Sequence, residues 1–384
     1  MPHAAILTSY PFPGFAATSN RVLSLAKGLA SDKYFKVTVI GPGSDRIIEE
    51  NKVDNEPFFI LSTNNKQYTG NNLFLRALYE FKLFFSLIKF SKRCCPDIII
   101  VTIPSIFLLG IIFFNKRKIP IIVDVRDLVW EYFLKKPFFY KFVGIIMKNI
   151  CINLLRRVDK VTLTNKAEYN NLIKYLNSPY IICNGLDKNR FNLLKSLLNY
   201  RYNTKIKNIN ITYSGNVGLA QRLGTLIDAV KNINNINVTI IGDGKEYIRL
   251  NAFIKDNRIN NVIMTGAIDF SSIIKHYQLT DIFFVQIGKE FKTALPSKIF
   301  EYLATGKGLI LSAPIGPATD LGSIFDGVHI IEPENLIMLR EKIISLVPSK
   351  NITYPNNIKI IKEQYLRENQ ASLFSNIVMD AYQN

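Results

Sequence analysis

Ile209-Asn210-Ile211-Thr212-Tyr213-Ser214-Gly215-Asn216-Val217-Gly218 is a β-rich run that breaks into a glycine-bearing turn, and a helical pattern follows from Leu223 to Asn232. Strand, tight turn and helix make one βα step, and repeated steps of this kind build parallel sheets. Outward from this stretch the alternation recurs. Downstream, strands are predicted at Val238 to Ile241, Val262 to Thr265 and Ile282 to Val285, and helices at Leu336 to Leu346 and Ile358 to Tyr382. Upstream, strands are predicted at Ala4 to Thr8, Lys36 to Ile40, Phe58 to Leu61, Asp97 to Ile103, Ile121 to Val125, Lys160 to Leu163 and Tyr180 to Cys183. Helices fall between them at Thr18 to Ala30, Leu73 to Cys94 and Pro137 to Arg157. The polar stretch Asn184 to Asn208 interrupts the pattern and reads as an interdomain connection. The expectation is an α/β chain of two Rossmann-like domains, 1–190 and 205–365, whose parallel sheets face a central cleft. A last helix over about 366–384 is placed to return to the first domain.

Bulk properties agree with this division. At 384 residues the chain exceeds what one hydrophobic core usually holds. Its 48% hydrophobic and 20% charged residues exclude a disordered chain. The formal net charge of +18 favours anionic partners, although many lysines lie in Asn/Lys/Ile-rich segments that read simply as solvated surface. Cys94, Cys95, Cys151 and Cys183 lack zinc-ligand spacing, and three histidines argue against a histidine-built metal centre, so the expectation is a reduced, cytosolic protein without a metal. The apolar run Ile98 to Phe114 approaches the length of a membrane span, but Pro104 and Ser105 divide it into a buried strand and a following helix.

In open parallel sheets ligands bind beyond the carboxyl ends of the strands. Three loops have that placement. Tyr10 to Arg21 follows the first strand: Gly14 lets backbone approach a ligand, and Thr18 or Ser19 can cap the helix. Ser214 to Gly218 follows the first strand of the second domain, and its glycines suit a diphosphate contact through backbone N–H groups. Ile241-Gly242-Asp243-Gly244 is a third glycine turn, read as structural. The third of these loops runs from Lys289 to Pro296 and enters a helix, Ser297 to Thr305, where Pro296 suits the first turn, Ser297 can donate to an anion and Lys298 adds positive charge. Glu301 lies one turn after Ser297, where a carboxylate can accept both hydroxyls of a ribose. Phosphate donors followed by a ribose acceptor form a nucleotide-shaped arrangement; a capped amphipathic helix is the plainer reading.

Leu295-Pro296-Ser297-Lys298-Ile299-Phe300-Glu301-Tyr302-Leu303-Ala304-Thr305-Gly306-Lys307 resembles the donor-binding signature of glycosyltransferase family 4, the group 1 transferases of the GT-B fold. Ser19-Asn20-Arg21, Asp124-Val125-Arg126-Asp127-Leu128, Cys183-Asn184-Gly185-Leu186-Asp187 and Tyr213-Ser214-Gly215-Asn216 are similar to the same family, in a flavour close to the N-acetyl-L-fucosamine transferases of bacterial surface polysaccharides. The resemblance implies a nucleotide-sugar donor, UDP-linked, retention at the anomeric carbon, and a metal-free site with the donor held by Gly14, Gly215, Asn216, Arg222, Leu295, Pro296, Ser297, Lys298 and Glu301. It also implies an acceptor in the first domain, with Phe15, Asn20, Arg21 and Arg126 on the acceptor side. Asp124, Asp127 and Glu131 are candidates for acceptor positioning or proton transfer, against a plain reading as helix cap and surface ion pairs. Two departures stand out. Typical members carry two glutamates with seven residues between them; Glu301 matches the second, while Thr293 occupies the first position, which contacts the donor sugar. Asn216 and Gln221 stand where an Arg and a Lys commonly clamp the diphosphate, so Lys298 and Arg222 are the expected sources of that charge.

Leu73 to Cys94 and Phe133 to Phe142 interleave aromatic and basic residues, a pattern suited to a membrane interface. The expected acceptor is a polyprenyl-diphosphate-linked saccharide, reached by peripheral attachment to an anionic inner membrane on its cytosolic face, in O-antigen or capsule assembly. Nucleic acid is not an expected partner. A basic nucleic-acid-binding protein is the rival reading from another class, but it leaves Pro296 to Glu301 unexplained. A sugar-nucleotide epimerase would share the fold, and the scarcity of histidine counts against it. A non-catalytic homologue that binds sugar nucleotide is kept open by Thr293 and Asn216.

Overall fold

The computed structural model describes residues 1–12, 17–31, 33–43, 51–52, 57–63, 65, 68, 72–103, 105–115, 118–134, 137, 139–199, 208–346 and 352–383. They form two compact units, Met1–Asn184 with Arg367–Asn384, and Gly185–Leu366.

The first unit holds β1 (His3–Thr8), α1 (Ala17–Ser31), β2 (Lys36–Pro42), β3 (Asn51–Lys52), β4 (Phe59–Thr63), α2 (Leu73–Cys94), β5 (Ile98–Ile103), β6 (Ile121–Val125), α3 (Val129–Leu134), α4 (Phe139–Leu155), β7 (Lys160–Leu163), α5 (Lys166–Leu172) and β8 (Tyr180–Ile181). Its strand order is β3-β4-β2-β1-β5-β6-β7-β8, parallel except for the two-residue β3. All six residues of β1 and of β5 are buried, which is why these strands read as unbroken apolar runs. Side chains alternate across the sheet. Ala4 and Ile6 join Val22 and Leu25 of α1, whereas Ala5 and Leu7 join Leu83 and Leu87 of α2.

The second unit holds α6 (Lys188–Lys195), β9 (Ile209–Ser214), α7 (Gly224–Val230), β10 (Ile236–Ile241), α8 (Tyr247–Asp256), β11 (Val262–Gly266), α9 (Phe270–Leu279), β12 (Ile282–Gln286), α10 (Lys298–Leu303), β13 (Gly308–Ser312), α11 (Pro317–Gly322), β14 (Val328–Ile331), α12 (Leu336–Leu346) and α13 (Pro355–Gln364). Its order, β11-β10-β9-β12-β13-β14, is parallel throughout. In both sheets the chain builds outward from the first strand and then crosses to its other side. The switch points lie between β1 and β5 and between β9 and β12.

Several expectations need correcting. The polar stretch Asn184 to Asn208 is not a plain connection: it contains α6 and a 3-10 turn, Ser196–Asn199, and α6 buries Phe191 and Leu194. The expected division of the apolar run Ile98 to Phe114 into a buried strand and a following helix is found, as β5 and a 3-10 helix, Ile106–Phe114, and no helix among the described residues is long and apolar enough to cross a membrane. The predicted helix from Ile358 to Tyr382 is broken at Tyr365 and Leu366 into α13 and α14 (Arg367–Gln383). Phe374, Ile377, Val378 and Ala381 of α14 pack in the first unit's core with Val22 and Leu25.

Candidate active site

The ladder between β9 and β12 is short. It pairs Ile211 with Ile282 and Thr212 with Phe283, yet β9 runs on to Ser214 and β12 to Gln286. Beyond that point the strands part around a crevice of about 360 Å³, walled by Gly215 and Asn216 on one side and by Pro296, Ser297 and Lys298 on the other. What holds it open is Tyr302 of α10. Gly215 donates to Ile241 of β10 at 2.9 Å, so the preceding residue, Ser214, turns its backbone groups away from β10. The Tyr302 hydroxyl accepts from the Ser214 N–H at 2.7 Å and donates to the Ser214 carbonyl at 2.9 Å. A phenol thus occupies the place of the missing ladder bonds, and its ring stacks on Phe283 at 4.2 Å.

The glycine turn does a different job from the one its composition suggests. Its N–H groups at Gly215, Val217 and Gly218 are engaged by the Ile241 carbonyl, the Asp243 carbonyl and the Gln221 side chain. Gly215 therefore supplies closeness more than donors: a Cβ there would lie 2.9 Å from the Tyr213 hydroxyl. The turn at Ile241 to Gly244 is its brace. Gly242 has φ +130°, and a Cβ on it would sit 1.9 Å from the Gly215 carbonyl oxygen, so only glycine fits.

Donors on the opposite wall come from the start of α10. The first helical bond is Ile299 N–H to the Pro296 carbonyl, which leaves the Ser297 and Lys298 N–H groups ahead of it. Ser297 is the cap residue, and its hydroxyl makes no cap bond; Pro296 precedes the helix rather than lying in its first turn. Lys298 Nζ donates to Glu301 Oε2 at 2.8 Å, and Arg190 Nη1 donates to Glu301 Oε1 at 3.1 Å. The Glu301 side chain is only 7% exposed, and each oxygen keeps a second lone pair for a hydroxyl. Leu295 packs against the apolar cluster beneath α10. Arg222 does not line the crevice; its guanidinium donates to Glu290 at 3.1 Å, with both groups exposed. Thr293 is exposed on the loop before α10.

In the first unit, Gly14 and Phe15 lie outside the described residues. Asp124, at the end of β6, is fully buried and accepts from Arg21 Nε at 2.8 Å, Arg21 Nη2 at 2.6 Å and Thr162 Oγ1 at 2.7 Å. Burial alone would raise its pKa, but Arg21 and Thr162 hold it below the usual carboxylate range. Arg21 also donates to the Asn184 side chain at 3.1 Å. The two groups read from the sequence as catalytic and acceptor-side therefore satisfy each other, and neither is open to a substrate. Asn20 is half-buried on α1, and Ser19 donates to the Pro11 carbonyl at 2.8 Å instead of capping the helix.

Asp127 is exposed, and Glu131 accepts from Asn171 at 3.2 Å. Arg126 is half-buried; its Nε is buried without a hydrogen-bond partner among the described residues, and desolvation lowers its pKa. Thr164, whose hydroxyl reaches the Arg126 carbonyl at 3.4 Å, leads to a carboxylate that the sequence reading passed over. Glu168 on α5 is buried and accepts from Thr164 N–H at 3.0 Å and Thr164 Oγ1 at 2.8 Å. Burial pushes its pKa up to about 7, against the pull of Thr164, and the negative charge of Asp127 adds to the rise. Among the described residues no group of three or more His, Cys, Asp or Glu could hold a metal ion.

Residues 18–190 match the family described as Glycosyltransferase Family 4, and residues 201–364 match Glycosyl transferases group 1. The chain belongs to these group 1, family 4 glycosyltransferases. Its fold is GT-B. Sucrose-phosphate synthase from Thermosynechococcus elongatus is similar over 100% of both chains, with a TM-score of 0.76 at 12% identity. Anabaena HepE, solved in complex with UDP-glucose, gives 0.66 at 15% identity over 98% of this chain and 99% of its own. WaaG, a glycosyltransferase involved in lipopolysaccharide biosynthesis, gives 0.65 at 12% identity over 97% of this chain and 99% of its own. No curated protein matches the chain.

Besides Glu168, three side chains of this glycosyltransferase escaped the sequence reading. Arg190 sits on α6, whose start is capped by Asp187, and its guanidinium lies 4.7 Å from the Phe270 ring centroid while it holds Glu301. Tyr302 stands in the quoted signature without an assigned role. Lys307 is buried and donates to the carbonyls of Tyr277, Gln278 and Thr280 at 2.7, 2.9 and 2.6 Å, closing the carboxyl end of α9. Arg190 had one available signal, its place three residues after the Asp187 cap.

Proposed function

We propose that this glycosyltransferase moves a sugar, with retention at the anomeric carbon, from a UDP-linked donor to a lipid-linked saccharide, a polyprenyl diphosphate type, in O-antigen or capsule assembly on the cytosolic face of the inner membrane. The observation that carries this reading is the crevice between β9 and β12, with Ser297 and Lys298 on one wall and Glu301 one turn further on. The diphosphate lies against the Ser297 hydroxyl, the two leading N–H groups of α10 and the Lys298 ammonium, while Glu301 accepts from the ribose. HepE, solved with UDP and with UDP-glucose, supports that donor class. As the bond from the anomeric carbon to the diphosphate oxygen breaks, negative charge grows on the leaving group, and Lys298 at the start of α10 is placed to stabilise it. We propose that no metal takes part, Lys298 supplying the charge a metal would otherwise bring; donor turnover unchanged by EDTA is the expected result. Arg126, whose Nε has no partner among the described residues, is the proposed contact for an anionic acceptor.

Membrane attachment is proposed from the surface of the first unit. Phe74, Phe81, Phe85, Phe139 and Phe142 are exposed, two of them by 70%, among exposed lysines such as Lys82, Lys89 and Lys141. The direct test of the donor reading is a thermal-shift panel of nucleotides and nucleotide sugars. Selective stabilisation by UDP compounds is expected, and no response to any nucleotide would overturn the reading.

A further inference from the structure

At the amino-terminal end of the first sheet, between the last turns of α2 and the 3-10 helix Ile106–Phe114, lies a groove of about 280 Å³. Ile88, Ile99, Ile111 and Ile119 form its floor and sides, Phe114 its lip, and Lys92 and Cys95 its mouth. We propose that this groove takes one acyl chain of an anionic membrane phospholipid, so that the unit is anchored by an inserted tail as well as by surface aromatics. The inference rests on the membrane reading above and adds to it a defined lipid site.

Three observations favour this occupant. The groove continues a cluster of phenylalanines: Phe81 meets Phe85 and Phe107, and Phe84 and Phe85 both meet Phe114, with centroids 5.0 to 6.1 Å apart. Along α2 the exposed residues Phe74, Leu78, Phe81, Phe85, Lys89 and Lys92 fall on one stripe, apolar at the start and basic where it reaches the groove. Lys92 stands over the Phe114 ring at 5.5 Å, and Arg93 and Lys118 are exposed nearby, while the neighbouring Asp97 is engaged by the His3 N–H. An apolar slot with a cationic rim suits a tail and an anionic headgroup. A second copy of this chain is disfavoured, because parallel stripes would set like charges against each other and antiparallel ones would bury Lys89 and Lys92 against Phe74 and Leu78.

The groove is also at the wrong end for the reacting acceptor. Pro96 and Ile99 lie at the start of β5 and Ile119 just before β6, whereas Arg126 lies just beyond the other end of β6. Five or six residues of strand put roughly 20 Å between these ends. A chain in the groove thus starts well away from the proposed acceptor contact, and we assign it to bulk lipid.

The test uses two probes on the full chain. Dodecyl phosphate below its micelle concentration should raise the melting temperature saturably, and vesicles of phosphatidylglycerol and phosphatidylethanolamine should float with the protein. Ile119→Phe, which fills the groove, should abolish the dodecyl phosphate response and weaken vesicle binding roughly tenfold. Lys92→Glu is an exposed change that keeps the fold. It should remove the dodecyl phosphate response while leaving that to neutral dodecyl maltoside. No response of the native chain to either dodecyl phosphate or geranylgeranyl phosphate, or an undiminished one in both variants, overturns the groove even if vesicles still bind. Absence of vesicle flotation by the native chain overturns the membrane reading, and the proposed occupant with it. Protection by geranylgeranyl phosphate but not by dodecyl phosphate overturns the occupant alone.

Discussion

The two sheets share a switch-point topology but treat it in opposite ways. In the first unit β1 and β5 stay paired from Ala4 and Ile98 to Thr8 and Thr102, and the neighbouring strand end is closed by the buried Arg21–Asp124 pair. In the second unit the ladder between β9 and β12 releases after two residue pairs, and a side-chain hydroxyl takes up the freed backbone groups. A switch point is therefore only an opportunity. It becomes a pocket where the strands part and something else satisfies their polar groups, and a braced wall where buried charges answer one another.

The strongest way to break this contrast is to remove the brace. Asp124→Ala leaves Arg21 buried and unpaired, and should cost about 3–5 kcal/mol in urea unfolding. Next is Glu168. Because the folded chain binds this proton more tightly than the unfolded chain, its contribution is present below the ordinary carboxylate pKa near 4.5 and is lost as pH rises through about 7. Stability should fall across that window by up to about 3 kcal/mol, and Glu168→Gln should flatten the fall; an unchanged slope in the variant would place the proton elsewhere. On the open side, Lys298→Ala removes a charge-assisted contact of about 1.5–3 kcal/mol, so donor kcat/KM should drop roughly ten- to a hundredfold with little change in melting temperature. Near-normal kinetics would take Lys298 out of the site. The smallest effect is expected from Arg222→Ala. Its partner Glu290 is as exposed as itself, so stability should change by less than about 1 kcal/mol, and donor kinetics should hold unless the guanidinium swings into the crevice during turnover.

Much of the fold was legible because parallel strands covered on both faces are apolar throughout, as β5 and β6 are. Of the elements that escaped, β13 carries that signature and was passed over, while two others lack it. β14 is half-exposed at the edge, and α6 is a polar helix held by two apolar residues and an aspartate cap. In the site, Ser297, Lys298 and Glu301 were legible because helical spacing sets them on one face. Arg190 was not, since its partner lies 111 residues away. The glycines of Ser214 to Gly218 showed where backbone approaches, but not that the neighbouring turn already engages most of its N–H groups. Asp124 and Arg21 looked chemical because charged residues at a strand end usually face solvent or substrate; their mutual burial appears only when β6 and α1 are brought together.

Tyr302 has a consequence for how such a site could be rebuilt. Its ring is fully buried, so phenylalanine would fill the same space and keep the stack on Phe283. Yet one missing oxygen would leave a donor and an acceptor of Ser214 stranded in an apolar interior, with the opposite strand as their nearest remedy. The oxygen works as a doorstop: grafting the loops of this crevice onto another sheet, without a hydroxyl to keep the strands apart, would transplant the lining and lose the opening.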